Sequence, residues 1–243
     1  MSVEANRAAG ALRSLVQRYG LPGEVHEKLA ILLGLIVDDP MAPTTVRQPF
    51  RVINDHFADS LVALELDAVR RATVIADLGS GAGFPGLPLA LALPSSEVLL
   101  LDASARKAAF LDRLVEACGI PNAHGVHVRA ESWTEGIGRF DLVTARALAP
   151  LDVVAEYAAP LLRRGGSLAA WRGRRDAAAE QAGQAAAAVL GLAPAEIRPV
   201  MPYPGAQHRH IHLMTKVGRT PERFPRRPGM ARKRPLGGSR PPV

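Results

Sequence analysis

Residues 74–86 read Val74-Ile75-Ala76-Asp77-Leu78-Gly79-Ser80-Gly81-Ala82-Gly83-Phe84-Pro85-Gly86. The pattern predicts a short buried strand, a glycine turn and the start of a helix. Three alternate glycines allow positive φ angles and let the main chain approach a ligand closely. The helix that follows offers unpaired N–H groups and a partial positive charge. The stretch therefore predicts a ligand site where a strand meets a helix.

Two ligand classes fit this turn. Residues 81–86 satisfy the G-x-G-x-x-G pattern of dinucleotide sites. Asp77, followed by Gly79, Gly81 and Gly83, matches the nucleoside turn of S-adenosylmethionine (SAM) methyltransferases. A carboxylate at the strand end repels a pyrophosphate but suits the cationic amino-acid end of SAM. We therefore expect these four residues to bind SAM, with a nicotinamide oxidoreductase as the alternative.

Strands and helices alternate from residue 73 onward, which is typical of a parallel sheet with crossover helices. The first strand is predicted at the beginning of residues 74–86. The others are predicted at residues 97–102, 126–128, 140–144, 167–171, 197–201 and 208–217. The last two form an antiparallel hairpin, which is typical of SAM-dependent methyltransferases and not of dehydrogenases. The fold class is therefore α/β, a Rossmann-like class I SAM-dependent methyltransferase sheet with an antiparallel C-terminal hairpin.

The chain divides into three predicted parts. Residues 1–66 form an N-terminal helical cap, residues 67–217 the methyltransferase domain, and residues 218–243 a flexible tail rich in proline and arginine. In the cap, a helix predicted over residues 50–66 carries His56 and Asp59 three positions apart. This spacing places both side chains on one helix face and favours a surface hydrogen bond over a site.

Asp102 ends the second predicted strand, 23 residues beyond Gly79. A carboxylate near that distance binds the ribose of either a nicotinamide or a SAM ligand. The loop of residues 129–132 follows the third strand. Because carboxyl ends of parallel strands meet at one edge, this loop should border the same crevice.

Arg146 follows the fourth strand, where methyltransferases that act on exocyclic amines carry an Asp/Asn-Pro-Pro-Tyr run, and that run is absent. Methylation of a pyrimidine carbon needs a cysteine nucleophile near the site. The single cysteine, Cys118, lies on a segment away from the predicted site, so we expect it to be a packing residue. A purine N7 needs neither, since it already presents a lone pair. Arg146 would then be the catalytic positioning group, because a guanidinium suits guanine O6 and N7.

The net charge of +7 comes from the tail. Residues 216–243 hold nine of the 30 Lys and Arg and one of the 23 acids, which leaves the rest of the chain near −1. This composition predicts an extended polycationic arm, with Arg240 near its end, that neutralises RNA phosphates. We expect loss of the arm to weaken RNA binding and to spare SAM binding.

Composition limits the other classes of protein. One cysteine in 243 residues fits a reducing compartment, no secretory signal is visible, and the apolar run of residues 29–37 is far shorter than a membrane helix. His208, His210 and His212 alternate along a predicted strand without nearby acids or cysteines, so we expect surface histidines and no metal. The sequence therefore predicts a cytoplasmic monomer without a membrane partner.

The chain resembles the bacterial 16S rRNA guanine-N7 methyltransferases, the RsmG/GidB family. The resembling segments are residues 44–47, 55–61, 77–89, 144–147, 209–210 and 221–229, and the Gly-Phe-Pro-Gly run at residues 83–86 is the most specific. One departure is Met41-Ala42, where the family usually carries Trp-Asn. It bears on the stretch before Thr44 and leaves the cofactor motifs intact.

The resemblance implies SAM as cofactor and 16S rRNA, within the small ribosomal subunit, as partner and substrate. It also implies contacts to SAM from Gly79 and Phe84, from Asp102 at the ribose and from Ala130 and Glu131 near the adenine. It places Arg146 in the active site, where we expect this residue to contact SAM as well. A binding module for ribosome assembly that keeps SAM as a ligand without turnover is the non-enzyme alternative.

Overall fold

A computed structural model describes residues 3–238 of the chain. Its centre is one seven-stranded sheet in the order β3-β2-β1-β4-β5-β7-β6. Strands β1 to β5 are parallel, and β7 runs antiparallel between β5 and β6. The strands are β1 (Val74–Leu78), β2 (Glu97–Asp102), β3 (Ala123–His127), β4 (Phe140–Arg146), β5 (Leu162–Arg172), β6 (Glu196–Pro199) and β7 (His210–Thr215). The predicted fold class, including the antiparallel hairpin, is confirmed.

Ten α-helices lie among the described residues, several of them a single turn long. They are α1 (Val3–Arg18), α2 (Gly23–Asp38), α3 (Pro49–Val52), α4 (Asp59–Leu61), α5 (Asp67–Arg70), α6 (Gly86–Ala92), α7 (Ala105–Ala117), α8 (Leu151–Ala158), α9 (Ala177–Leu190) and α10 (Met230–Lys233). A π-helical turn, Ile53–Ala58, separates α3 from α4, and a 3₁₀ turn, Val62–Glu65, follows. Within residues 3–238, no helix combines the length and apolar character needed to cross a membrane.

The strand order reverses between β1 and β4, which is where a doubly wound sheet opens its ligand crevice. Both strands are mostly buried, as expected for parallel strands covered on both faces, although β4 carries the polar residues Asp141, Thr144 and Arg146. The register pairs Asp77 of β1 with Thr144 of β4 and Leu100 of β2. The polar side chains of Asp77 and Thr144 are therefore adjacent on neighbouring strands at the carboxyl edge of the sheet.

Strand β5 begins five residues earlier than predicted from its apolar run. The N–H of Gly165 donates to the carbonyl of Lys216 at 2.8 Å, and the N–H of Lys216 donates to the carbonyl of Gly166 at 2.8 Å. Backbone pairing with the chain after β7 thus includes Gly165 and Gly166. Because glycine has no side chain, these two residues do not appear in the apolar pattern from which the strand was predicted.

The N-terminal helices share their core with the sheet. Leu29, Leu32 and Ile36 of α2 are fully buried, and they belong to one apolar cluster with Ile75 of β1 and Leu100 of β2. Apolar positions three and four apart put one face of α2 toward the sheet. The cluster crosses the division predicted at residue 66, so the helical cap is packed as part of the same core.

The C-terminal segment, residues 218–238, differs from the flexible arm that its charge predicts. Phe224 and Ala231 are buried at 7% and 1% exposure. Arg226 forms an ion pair with Glu156 of α8 at 2.5 Å, and Glu156 is itself buried. A buried carboxylate requires a partner cation, and two apolar side chains supply packing, so the segment is held against the domain. Arg240 of the predicted arm lies outside the described residues.

Leu32→Ala should lower the free energy of unfolding by about 2–5 kcal/mol, because it opens a cavity in a fully buried cluster. The measurement is denaturant unfolding followed by tryptophan fluorescence, which reports on Trp171 in β5 and on Trp133 against Phe140 of β4. Ile31→Ala is the control, since Ile31 is 47% exposed on the same helix. An unshifted tryptophan transition for Leu32→Ala would mean that the cap unfolds independently.

Candidate functional site

The glycine turn is shaped by close packing as well as by φ. Gly79 has φ +66°, and a Cβ on it would lie 2.6 Å from Cδ1 of Leu148. Leu148 belongs to the loop after β4, so this loop and the glycine turn are pressed together at the switch point. Any side chain at residue 79 would have to displace Leu148.

Asp77 lies beneath the glycine turn and has no exposed surface. Its carboxylate accepts hydrogen bonds from the hydroxyl of Ser80 at 2.5 Å, the hydroxyl of Thr144 at 2.8 Å and the N–H of Gly86 at 3.1 Å. Burial raises the pKa of Asp77, and these three donors oppose that shift. The expected contact with the amino-acid end of a ligand is therefore replaced by an internal role, because the side chain turns into the protein.

A cavity of about 340 Å³ opens at the carboxyl edge of β1 and β2. Gly79, Asp102, Ala130 and Glu131 line it together, as the sequence led us to expect of one crevice. We call it the cofactor cavity, after the ligand that the sequence predicts for these residues. Its volume lies within the ordinary range for small-molecule sites.

Asp102 is held at the wall of this cavity by main-chain donors. Its Oδ2 accepts the N–H of Gly81 at 3.2 Å, and its Oδ1 accepts the N–H of Ser104 at 2.9 Å. Lys107 lies 3.8 Å from the same carboxylate. Gly81 thus serves the site through Asp102 and does not line the cavity itself.

Three other predicted residues also lie outside the cofactor cavity. A Cβ on Gly83 would collide with the side chain of Leu87, so this glycine packs the turn against α6. Phe84 is only 5% exposed and stacks on His56 with ring centroids 4.5 Å apart. Arg146 lines a neighbouring cleft.

Arg146 is the centre of a polar cluster. Its Nη1 donates to Oδ2 of Asp59 at 3.0 Å and to the carbonyl of Asp55 at 2.8 Å. Its Nη2 lies 3.1 Å from Nδ1 of His56. The surface hydrogen bond predicted between His56 and Asp59 is therefore wrong, because both side chains turn inward and bind Arg146. Asp59 is only 6% exposed.

The neighbouring cleft, which we call the arginine cleft, has a volume of about 530 Å³. Arg146, Asp59, His56, Trp171 and Arg209 are among its lining residues. It shares Ala147 with the cofactor cavity. Ala147 follows Arg146 directly and has φ +53°, so the chain turns sharply between the two spaces. The cofactor cavity and the arginine cleft therefore meet at the end of β4.

Comparison with known proteins gives the family. A family model described as rRNA small subunit methyltransferase G matches residues 40–210. The chain is 36% identical to a ribosomal RNA small subunit methyltransferase G from Desulfitobacterium hafniense, over 89% of this chain and 91% of that protein. It is 38% identical to the protein of the same name from Chloroflexus aggregans, over 83% and 85%. The chain belongs to the rRNA small subunit methyltransferase G family.

Solved structures agree with the fold. A predicted O-methyltransferase from Agrobacterium tumefaciens superposes with a TM-score of 0.54 at 24% identity, over 67% of this chain and 81% of that chain. A SAM-dependent O-methyltransferase from Thermotoga maritima gives 0.55 at 20% identity, over 79% and 73%. Such distant likeness supports the class I methyltransferase fold alone.

In this family member, His56 is held neutral. Burial first, and the Arg146 cation second, lower its pKa from 6.5 to about 4. Since a guanidinium only donates, Nδ1 of His56 accepts from Arg146 and the proton lies on Nε2, which donates to Oγ1 of Thr44 at 2.9 Å. The Asp55 carbonyl, 3.1 Å from Nδ1, already accepts from Arg146. Burial raises the pKa of Asp59 against the opposing effect of Arg146.

Several residues of the site belong to no sequence motif, so residue spacing could not have identified them. Lys107, Tyr157 and Arg232 line the cofactor cavity. Tyr203 donates its hydroxyl to Oδ1 of Asp55 at 2.7 Å, and Arg209 lies 3.5 Å from Asp59. Of these, only Arg209 falls in a segment that carries the family resemblance.

The remaining candidates lie apart from both spaces or at their rim. Cys118 is buried, and burial raises its pKa to about 11, which fits packing. His210 borders the arginine cleft, whereas His212 is 3% exposed and so is not the surface histidine predicted, because β7 lies inside the sheet. Among residues 3–238, no three His, Cys, Asp or Glu side chains gather closely enough for a metal ion.

The pKa of His56 should be about 4 in the wild type and should rise in Arg146→Met, since the variant removes a cation that opposes protonation. Because protonation is disfavoured in the fold, His56 should cost stability as pH falls from 6.5 towards 4. NMR titration of the imidazole measures the shift. Arg174→Met, which removes another cation of the arginine cleft, is the control. An unchanged His56 pKa in Arg146→Met would contradict the contact.

Proposed function

We propose that the protein transfers a methyl group from SAM to N7 of a guanine in 16S rRNA of the small ribosomal subunit. The relatives are named ribosomal RNA small subunit methyltransferase G, which supports methyl transfer to rRNA over the nicotinamide alternative. The observation that carries the proposal is the meeting of the cofactor cavity and the arginine cleft at Ala147. That the chain acts as a cytoplasmic monomer stays a prediction from the sequence.

The residues of the cofactor cavity suit SAM. Asp102 and Glu131 offer carboxylate acceptors for ribose and adenine donors, and the absence of a Cβ at Gly79 leaves room for Leu148 to pack at the cavity wall. Lys107 pairs with the buried carboxylate of Asp102 at the wall of the cavity. When bound, SAM supplies an electrophilic methyl group.

The arginine cleft suits a guanine. Among residues 3–238, Asp59, Asp55 and His56 use three of the five N–H groups of Arg146, which leaves Nε–H and one N–H of Nη2 without a partner. Guanine presents O6 and N7 on one edge. Arg146 would donate to O6, since the lone pair of N7 must stay free to attack the methyl group.

Methylation at N7 releases no proton and leaves a cationic base. A general base is therefore not needed, which agrees with the low pKa of His56. The carboxylate of Asp59 pairs with both Arg146 and Arg209. The carboxylate of Asp55 pairs with Arg51, so the cationic base would form beside carboxylates that already have partners. The role of the protein is then orientation of two reactants, an effect that accounts for several kcal/mol in well-aligned reactions.

Labelled SAM and small subunits that lack native methylation test the proposal, with nucleoside analysis of the product. Wild-type protein should yield labelled 7-methylguanosine. Arg146→Met should lower kcat at least ~100-fold, because the guanine loses its orientation, while SAM affinity stays near that of the wild type. Arg139→Met, at the amino edge of the sheet where Arg139 pairs with Glu97, should keep full activity.

Two outcomes would contradict this assignment. An equal loss of SAM affinity in Arg146→Met would place Arg146 in the cofactor site. Intact SAM binding without any labelled product would favour the binding module for ribosome assembly.

Gly79→Ala should weaken SAM binding by roughly 10-fold or more, about 1.4 kcal/mol, because its Cβ pushes Leu148 into the cofactor cavity. Gly119→Ala is a matched control, since Gly119 has φ +56° and no atom within 4 Å of an added Cβ. It carries the same backbone strain without the collision. Calorimetric titration with SAM compares the two, and equal affinities would reject the site at Gly79.

A further inference from the structure

The C-terminal segment, residues 218–238, contacts α8 through Arg226 and reaches the cofactor cavity at Arg232. Its anchor is Arg226, whose Nε and Nη2 donate to the two carboxylate oxygens of Glu156 at 2.6 Å and 2.5 Å. Glu156 is 2% exposed, so the pair is a desolvated, two-pronged contact. Phe224 and Ala231 are buried on either side of this anchor in sequence. The segment is thus fixed before it reaches the cavity.

At the cavity, the C-terminal segment touches two separate walls. The N–H of Gly229 donates to Oε1 of Glu131 at 3.1 Å, and Nη2 of Arg232 donates to the carbonyl of Leu148 at 2.9 Å. Glu131 follows β3, and Leu148 follows β4. Both residues line the cofactor cavity, as Arg232 itself does. The segment therefore bridges the two sides of the opening.

We propose that Arg232 is a cofactor-binding residue and that the C-terminal segment closes the cofactor cavity over the adenine end of SAM. The inference rests on the proposed function. It gives the basic C-terminal segment a role in binding SAM in addition to any role in binding RNA. The charge of the segment alone predicted that its loss would spare SAM binding.

Charge favours the adenine end over the sulfonium end. SAM carries a sulfonium and an ammonium against one carboxylate, so a fixed guanidinium next to its sulfonium would be repelled. The adenine is neutral, presents ring nitrogens that accept hydrogen bonds, and offers a flat face on which a guanidinium stacks. Arg232 lines the same cavity as Glu131, a residue that the family resemblance places near the adenine.

Arg232→Ala and Lys233→Ala form a matched pair for calorimetric titration. Each removes one exposed cation from α10, and only Arg232 lines the cavity. We expect Arg232→Ala to bind SAM roughly 10-fold more weakly, in line with the loss of a charged hydrogen bond, and Lys233→Ala to bind as the wild type does. The thermal midpoint of ligand-free Lys233→Ala should match that of the wild type, and that of Arg232→Ala should fall only slightly, since its exposed side chain loses one hydrogen bond to Leu148.

Adenosine, which lacks the amino-acid part of SAM, distinguishes the two ends of the ligand. A similar loss of adenosine affinity in Arg232→Ala supports the adenine contact. Full adenosine affinity, or full SAM affinity, in that variant overturns the proposal. Failure of the wild type to bind SAM would instead reject the proposed function itself.

Closure is tested separately in the full chain by trypsin, which cuts after Arg232 and Lys233. SAM should slow these cuts several-fold relative to cuts after Arg70 and Arg71, exposed residues that do not line the cofactor cavity. Equal rates of cutting with and without SAM would show that the segment does not close over the ligand.

Discussion

The buried carboxylate of Asp77 is the contact on which the site depends. It joins four parts of the fold: the end of β1 that carries it, the glycine turn through Ser80, the first residue of α6 through Gly86, and β4 through Thr144. A buried carboxylate without donors would cost several kcal/mol, so all three donors are held in place together. Because the cofactor cavity and the arginine cleft lie on this carboxyl edge, their relative position follows from that one group.

The arginine cleft shows how a helical cap contributes side chains to a cleft at the edge of the sheet. The π-helical turn of residues 53–58 lets Asp55 and His56, with Asp59 just beyond, converge on Arg146 at the end of β4. Trp171 of β5 donates its indole N–H to the carbonyl of Asp59 at 2.6 Å and secures the turn from the other side. Interruptions of this kind often occur at functional sites. The guanidinium is thus held by groups that approach from the cap and the sheet.

The C-terminal segment illustrates why a run of charge is an ambiguous signal. Nine cations in 28 residues predict a solvated arm. Yet one of them, Arg226, forms an ion pair with the buried Glu156, and another, Arg232, lines the cofactor cavity. What distinguishes these two from their neighbours is the location of Glu156 and Leu148, which lie some 70 or more residues earlier in the chain. No local pattern contains that information.

The sequence by itself determined the strand–glycine–helix unit, the parallel sheet with its antiparallel hairpin, and the assembly of Gly79, Asp102, Ala130 and Glu131 at one edge. The reason is topological, since the carboxyl ends of neighbouring parallel strands meet wherever the side chains point. Only the tertiary structure decided that Asp77 turns inward, that His56 and Asp59 bind Arg146, and that Arg232 joins the cofactor cavity. Those outcomes depend on contacts between distant segments and on which polar groups become buried, and helical spacing or charge counts do not encode either.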